Sequence, residues 1–167
     1  MAIIVDATIG GTNSNSYLTI ARAGVLAETI PHMEAWLHDM EVNKPQLLVH
    51  ATRLIDRYFV PVGSKTTDTQ ALMWPRKHVV DVGIGVEIAD NVIPTFVEMA
   101  TIEWASALHE NPDPYAEVGH GLRRLQTPSY EMWFDGNTPS VIPRVVSMLL
   151  GPYSTWAGGP FRKVVRM

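Results

Sequence analysis

Residues 43–59 read NKPQLLVHATRLIDRYF, and this segment constrains the chain more than any other. Leu47, Leu48, Ala51, Leu54, Ile55, Tyr58 and Phe59 recur at the i, i+3, i+4 spacing of one helix face, while Gln46, His50, Arg53 and Arg57 fall on the other side. The pattern predicts a helix with one buried and one wet face, so the rest of the chain must supply a surface for it to pack on. Asn43, with Gln46 three residues on, fits a capping box, and Pro45 is tolerated in a first turn whose N–H groups lack intrahelical partners. Pro61 and Gly63 end the helix.

Partners for that face follow. A helix is expected from Pro94 to about His109, with Val97, Ala100, Trp104, Ala107 and Leu108 as its apolar stripe and Glu98, Glu103 and Glu110 outside. Another is expected over residues 140–150, stopped by Gly151 and Pro152. Thr19 can cap a helix over residues 20–30, weakened by Gly24, and residues 32–40 suit a short helical turn. Residues 2–9, rich in Ile and Val, read as a strand followed by the polar turn GGTNSNS. Residues 112–139 hold several prolines and glycines before YEMWF, which suggests an extended arm or hairpin turning at Asp135-Gly136. Beyond Gly151 no helical period remains, and FRKVVRM reads as a strand-like end.

The expected fold class is therefore mainly α: a small core of three to four helices with short strands, an extended arm or hairpin and an extended C-terminal tail. Residues 1–151 form a helical domain carrying the arm at 112–139, and residues 152–167 form a basic tail. A chain of 167 residues, 46% apolar and 18% charged, is the size of one globular domain. It has no cysteine, which excludes disulfides, thiolate metal sites and cysteine nucleophiles. The N-terminal run, broken by Asp6, does not read as a signal peptide, and no apolar run approaches a bilayer span, so a cytoplasmic setting without membrane is expected.

The net charge of -4 conceals an asymmetry. Residues 1–135 carry 9 Lys and Arg against 17 Asp and Glu, whereas residues 136–167 carry Arg144, Arg162, Lys163 and Arg166 and no acid. An acidic body disfavours a polyanion and suits pairing with the basic tail of an identical neighbour. Phe161, Val164, Val165 and Trp156 in the tail, and Tyr130, Trp133 and Phe134 in the arm, need apolar partners that one copy of the chain does not supply. An oligomer is expected, with the tail adding to an adjacent subunit's edge.

No compact chemical constellation stands out. The six histidines lack metal-ligand spacing; VGSKTT at 62–67 has the wrong order and context for a phosphate loop; there is no GxSxG elbow. No metal, cofactor or enzymatic activity is expected. QALMWPR at 70–76 admits two readings. As a core plug, Trp74 hides on the order of 200 Å², worth several kcal/mol at about 25 cal/mol per Å². Pro75 then holds Trp74 extended, and Arg76 pairs with an acid or reaches a neighbour. As a nucleic-acid element, Trp74 stacks on a base while Arg76 and Lys77 meet phosphate. On an acidic body the plug reading prevails.

NSY at 15–17, LLVHATRLIDRYF at 47–59, QALMWPR at 70–76 and VIPTFVEMATIEWASAL at 92–108 occur in the order and spacing of tailed-phage head-to-tail adaptor proteins. This group, also called head completion or connector proteins, is often labelled DnaT-like single-stranded-DNA-binding. The chain resembles it over about residues 1–110, and in layout beyond. It departs at Val62-Gly63, where relatives commonly place an aromatic before the glycine, and over residues 24–40. The resemblance implies a structural virion protein at the head-tail neck, assembled in the host cytoplasm. It implies a dodecameric ring bound to the portal protein on one side and to a tail-side connector or tail terminator on the other. DNA would pass through its channel without specific binding. On that reading Trp74, Pro75 and Arg76 are a rigid corner, and Trp156, Phe161, Arg162, Lys163, Val164, Val165 and Arg166 form the subunit or portal interface. Tyr130, Trp133 and Phe134 make arm contacts. The alternative is a single-stranded-DNA-binding module using Trp74, Arg76, Lys77 and the tail.

Overall fold

The computed structural model of the protein describes residues 3–38, 43–111, 124–127, 130–133 and 141–156, with backbone alone at 35, 124–127, 130–133 and 156. The fold is mainly α, with five α-helices among the described residues: α1 (Ile20–Glu28), α2 (Glu34–His38), α3 (Lys44–Tyr58), α4 (Thr95–Glu110) and α5 (Arg144–Leu150). Short 3-10 turns precede α2 and follow α5, at Pro31–Met33 and Gly151–Tyr153.

Helix α3 has the amphipathic face its sequence demands. Leu48, Ala51, Leu54 and Ile55 are buried and Gln46, His50, Arg53 and Arg57 are exposed. The capping box does not form. Asn43 sits in the helical region at φ -89°, ψ -31°, without a side-chain cap bond; a cap needs extended backbone there. Thr19 does adopt that conformation (φ -75°, ψ 157°), and its hydroxyl accepts the Arg22 N–H to cap α1.

Helix α4 is the hub, touching α1, α2, α3 and α5. Thr101, Ile102, Ala105 and Ser106 are buried along with Val97, Ala100, Trp104 and Leu108, so apolar packing surrounds most of the helix. The Thr101 hydroxyl is satisfied by the Val97 carbonyl, 2.7 Å away, one turn back. Glu98 and Glu103 do not lie on a wet face as the spacing implied. Both are largely covered and paired, Glu98 with Arg22 at 2.7 Å and Glu103 with His32 at 2.9 Å, which pins α1 and the Pro31–Met33 turn to α4.

The strands form three antiparallel ribbons. β1 (Phe59–Pro61) pairs with β6 (Ser154–Trp156), β2 (Ser64–Lys65) with β3 (Arg76–Lys77), and β4 (Arg124–Thr127) with β5 (Tyr130–Trp133). The first ribbon sets Phe59 opposite Trp156 and brings residues 151–156 onto the helical body, where Tyr153 is buried. Gly151 does not end the chain's turn: it keeps helical angles (φ -54°, ψ -43°) and runs on into the 3-10 turn. Within the arm β4 and β5 pair as antiparallel strands with Thr127 opposite Tyr130; the expected turn at Asp135-Gly136 lies outside the described residues.

The expected N-terminal strand is absent over residues 3–8. A side chain takes the place of a partner strand there. Asn15 Oδ1 accepts the Asp6 N–H, its Nδ2 donates to the Ile4 carbonyl, and the Asp6 carbonyl accepts from the N–H groups of Asn15 and Ser16. An Asx side chain bonded to backbone in this way satisfies the segment without a ladder.

Candidate functional site: the Trp-Pro-Arg corner

The sequence places Trp74 between Met73 and Pro75 with no regular period, and the structure buries Trp74, Pro75 and Arg76 as a corner. Trp74 is 2% exposed and Arg76 9%. The indole meets Phe96 of α4 edge-on, with ring centroids 5.5 Å apart at 81°, and Phe96 in turn stacks on Tyr153 at 3.9 Å. Edge-to-face pairs of this kind add to the gain from burial. The Trp74-Pro75 peptide bond is cis.

Around the ring every polar group named below is consumed within the chain. The Arg76 guanidinium donates from Nε to the Val62 carbonyl and from Nη2 to the Gly63 carbonyl, both at 2.6 Å, and from Nη1 to the Met73 carbonyl at 3.2 Å. Among the described residues it forms no ion pair with a carboxylate; its fork holds the loop after α3 against the loop that carries Trp74. Gln70 does the same on the far side, donating to the Leu72 and Pro75 carbonyls and accepting the Thr67 N–H. Lys65 Nζ reaches the Gln70 carbonyl.

A second layer joins the corner to α3. The Tyr17 hydroxyl donates to Asp56 Oδ1, while Asp56 Oδ2 accepts the Met73 N–H at 3.1 Å. The Tyr17 oxygen also accepts the Trp74 N–H at 3.3 Å. Burial, together with the adjacent Asp56 charge, pushes the Tyr17 phenol well above its ordinary value. Burial also pushes the Asp56 carboxyl up, against the pull of Tyr17 and the Met73 N–H. Burial lowers Arg76 against the attraction of the same two groups, and a guanidinium stays charged throughout.

This arrangement clamps the corner to α3. A Tyr-Asp pair in an open pocket can move protons, but here both partners face backbone and each other. Tyr17 also lines a groove of about 260 Å³ together with Ile9, Leu18, Val92 and Ile93, with Arg22 paired to Glu98 at its side. No group of three or more His, Asp or Glu among the described residues is placed to hold a metal. No described helix is long and apolar enough to cross a membrane.

The structure buries Trp74, Pro75 and Arg76 side by side. Lys77 lies beside them in β3, half-buried and paired with Ser64. Tyr130 and Trp133 sit at the first and last positions of β5, and Trp156 ends β6. Phe134, Phe161, Arg162, Lys163, Val164, Val165 and Arg166 lie outside the described residues. Sequence reasoning missed Tyr17, Asp56 and Gln70, although all three stand inside the segments NSY, LLVHATRLIDRYF and QALMWPR. The signal was their co-occurrence; nothing in their spacing shows that residues 39 apart share one hydrogen bond.

A protein-family model described as "Putative DnaT-like ssDNA binding protein" matches residues 1–167. No curated protein and no solved structure matches the chain.

Proposed function

The chain belongs to the DnaT-like single-stranded-DNA-binding family, and from that premise we propose that it serves as a structural subunit of a phage virion, a head-to-tail adaptor. In this reading copies of the chain form a ring between portal and tail, close the filled head and offer the tail its attachment surface. One observation carries it: the aromatic and the cation that base stacking and phosphate contact would require at the corner, Trp74 and Arg76, are spent inside the fold. A buried indole has no free face for a base. The acidic balance of residues 1–135 adds a barrier to a polyanion. Further support comes from the order of the NSY, ATRLID, QALMWPR and VIPTFVEMA segments.

Single-stranded-DNA binding is the second reading, and the family description favours it over the adaptor. Binding of that kind would have to use cations other than Arg76. Sedimentation of the chain with a labelled oligothymidylate, at low and at physiological salt, separates the two. The adaptor reading expects multi-copy protein and a Kd weaker than about 10 μM, with little salt dependence. Co-sedimentation at micromolar or tighter affinity that collapses as salt rises would overturn it in favour of the second.

A further inference from the structure

Two exposed surfaces of the body are left unused by the corner. The first is the hairpin over residues 79–88. Its base is tied by the Val80–Glu87 bridge and by the backbone bonds Asp81 N–H to Val86 carbonyl and Ile88 N–H to Val79 carbonyl, both 2.8 Å, so its shape is fixed. Yet Val80, Val82, Ile84 and Val86 are between 52% and 74% exposed. Four adjacent bare aliphatic side chains on an ordered loop mark a protein contact far better than a solvated turn. Residues 79–92 also carry Asp81, Glu87 and Asp90 with no Lys, Arg or His; Asp68 is exposed in the same long connection, and Lys77 beside Glu87 and Asp90, with His78 Nδ1 3.3 Å from Glu87, offsets part of the charge.

The second surface is the outer side of α3. His50, Arg53 and Arg57 are exposed there, and the helix's one acid, Asp56, is turned inward to Tyr17. Exposed Val60 and Val62 follow at once in the chain. Among the described residues no ion pair joins Arg53 or Arg57 to any carboxylate.

We propose that these surfaces are the two halves of one interface between copies of this chain, the apolar hairpin of one copy and its flanking acids Asp68 and Asp90, whose segments the Thr66 hydroxyl joins by donating to the Asp90 carbonyl, docking on the basic α3 face and Val60/Val62 edge of the next. The observations that point to a second copy are the opposite charges of the two surfaces and the bare aliphatic groups on both. Complementary charge steers and registers association, while the desolvated apolar groups hold it. Because the halves are different patches, the contact is head-to-tail and closes into a ring when the rotation between neighbours permits. The inference rests on the ring reading above and names the surface that would build it.

The test uses charge reversal at exposed side chains outside the hydrogen-bonded loop base. Arg53→Glu/Arg57→Glu and Asp68→Lys/Asp90→Lys are made separately and together in the full chain, with circular dichroism to verify folding, and self-association is read by sedimentation. Each pair alone is expected to weaken association at least about tenfold, by placing like charges face to face. The fourfold variant, and an equal mixture of the two double variants, should regain it, because every junction is again complementary. A Val82→Ser/Ile84→Ser variant should weaken association without altering its salt dependence. Wild-type assembly that ignores all these changes overturns the inference while leaving the adaptor reading intact. A chain that stays a single copy at every concentration overturns both. Loss of oligothymidylate binding in the arginine variant alone, with masses unchanged, would assign the α3 face to nucleic acid and overturn it as well.

Discussion

At Gly63 the chain turns with φ +73°, and a Cβ built there would stand 2.1 Å from the Lys77 carbonyl oxygen. That close approach is what allows β2 to lie against β3 and the Gly63 carbonyl to reach Arg76. Gly63→Ala is expected to cost at least about 2 kcal/mol, from the left-handed backbone and the backbone collision together, read as a lower urea midpoint. Tyr17 makes a different prediction. Its folded-state value is raised, so the folded chain keeps the phenolic proton after the unfolded chain has begun to lose it. The stability this represents is complete below the ordinary value of 10.0 and is lost as pH rises past it. Tyr17→Phe should destabilise the protein by about 1–3 kcal/mol near neutral pH, by removing the partner of the Trp74 N–H and of Asp56 Oδ1. It should also flatten the alkaline limb of a stability-pH curve. Asp56 acts in the same direction at the acid end: with its carboxyl raised, its contribution is full below the ordinary 3.8 and declines as pH climbs through the raised value.

Among the elements, α1 depends on its cap more visibly than α3, α4 or α5, because of these four helix starts only Thr19 has a side chain that accepts a first-turn N–H. Thr19→Ala should lower stability by about 1 kcal/mol, measured by urea unfolding, whereas Asn43→Ala should lose no capping bond. The contrast shows what the sequence could and could not convey. Both starts have a capping residue, yet only Thr19 has extended backbone, and backbone angles are set by what precedes the helix. Helix α3 was legible because its wet face reaches solvent and keeps its period. Helix α4 was legible in position but not in exposure: Glu98 and Glu103 look like a solvated edge until Arg22 and His32 arrive from far along the chain to cover them. The Ile- and Val-rich start resembled a strand for the same reason, since a single Asn15 side chain replaced the ladder that composition implied. The Trp-Pro-Arg corner was legible as a plug, but its attachment to Tyr17 and Asp56 joins three distant segments, which no local pattern encodes.

Across the described residues, burial runs through the helices and the corner, while the 79–88 hairpin presents exposed apolar groups and the outer side of α3 exposed cations. That division separates what keeps the subunit folded from what is free to meet something else. The β1–β6 ribbon lies at its margin. Phe59, where α3 ends, stands opposite Trp156, so a tug on residue 157 with α3 as anchor loads the two strands from the same end. Under such tension the ribbon opens like a zipper, one pair after another toward Pro61 and Ser154, and only afterwards is Tyr153 drawn off Phe96. Mechanical strain entering through the C-terminal side would be spent on three cheap rungs before it reached the tryptophan corner, which makes this ribbon a fuse for the helical body.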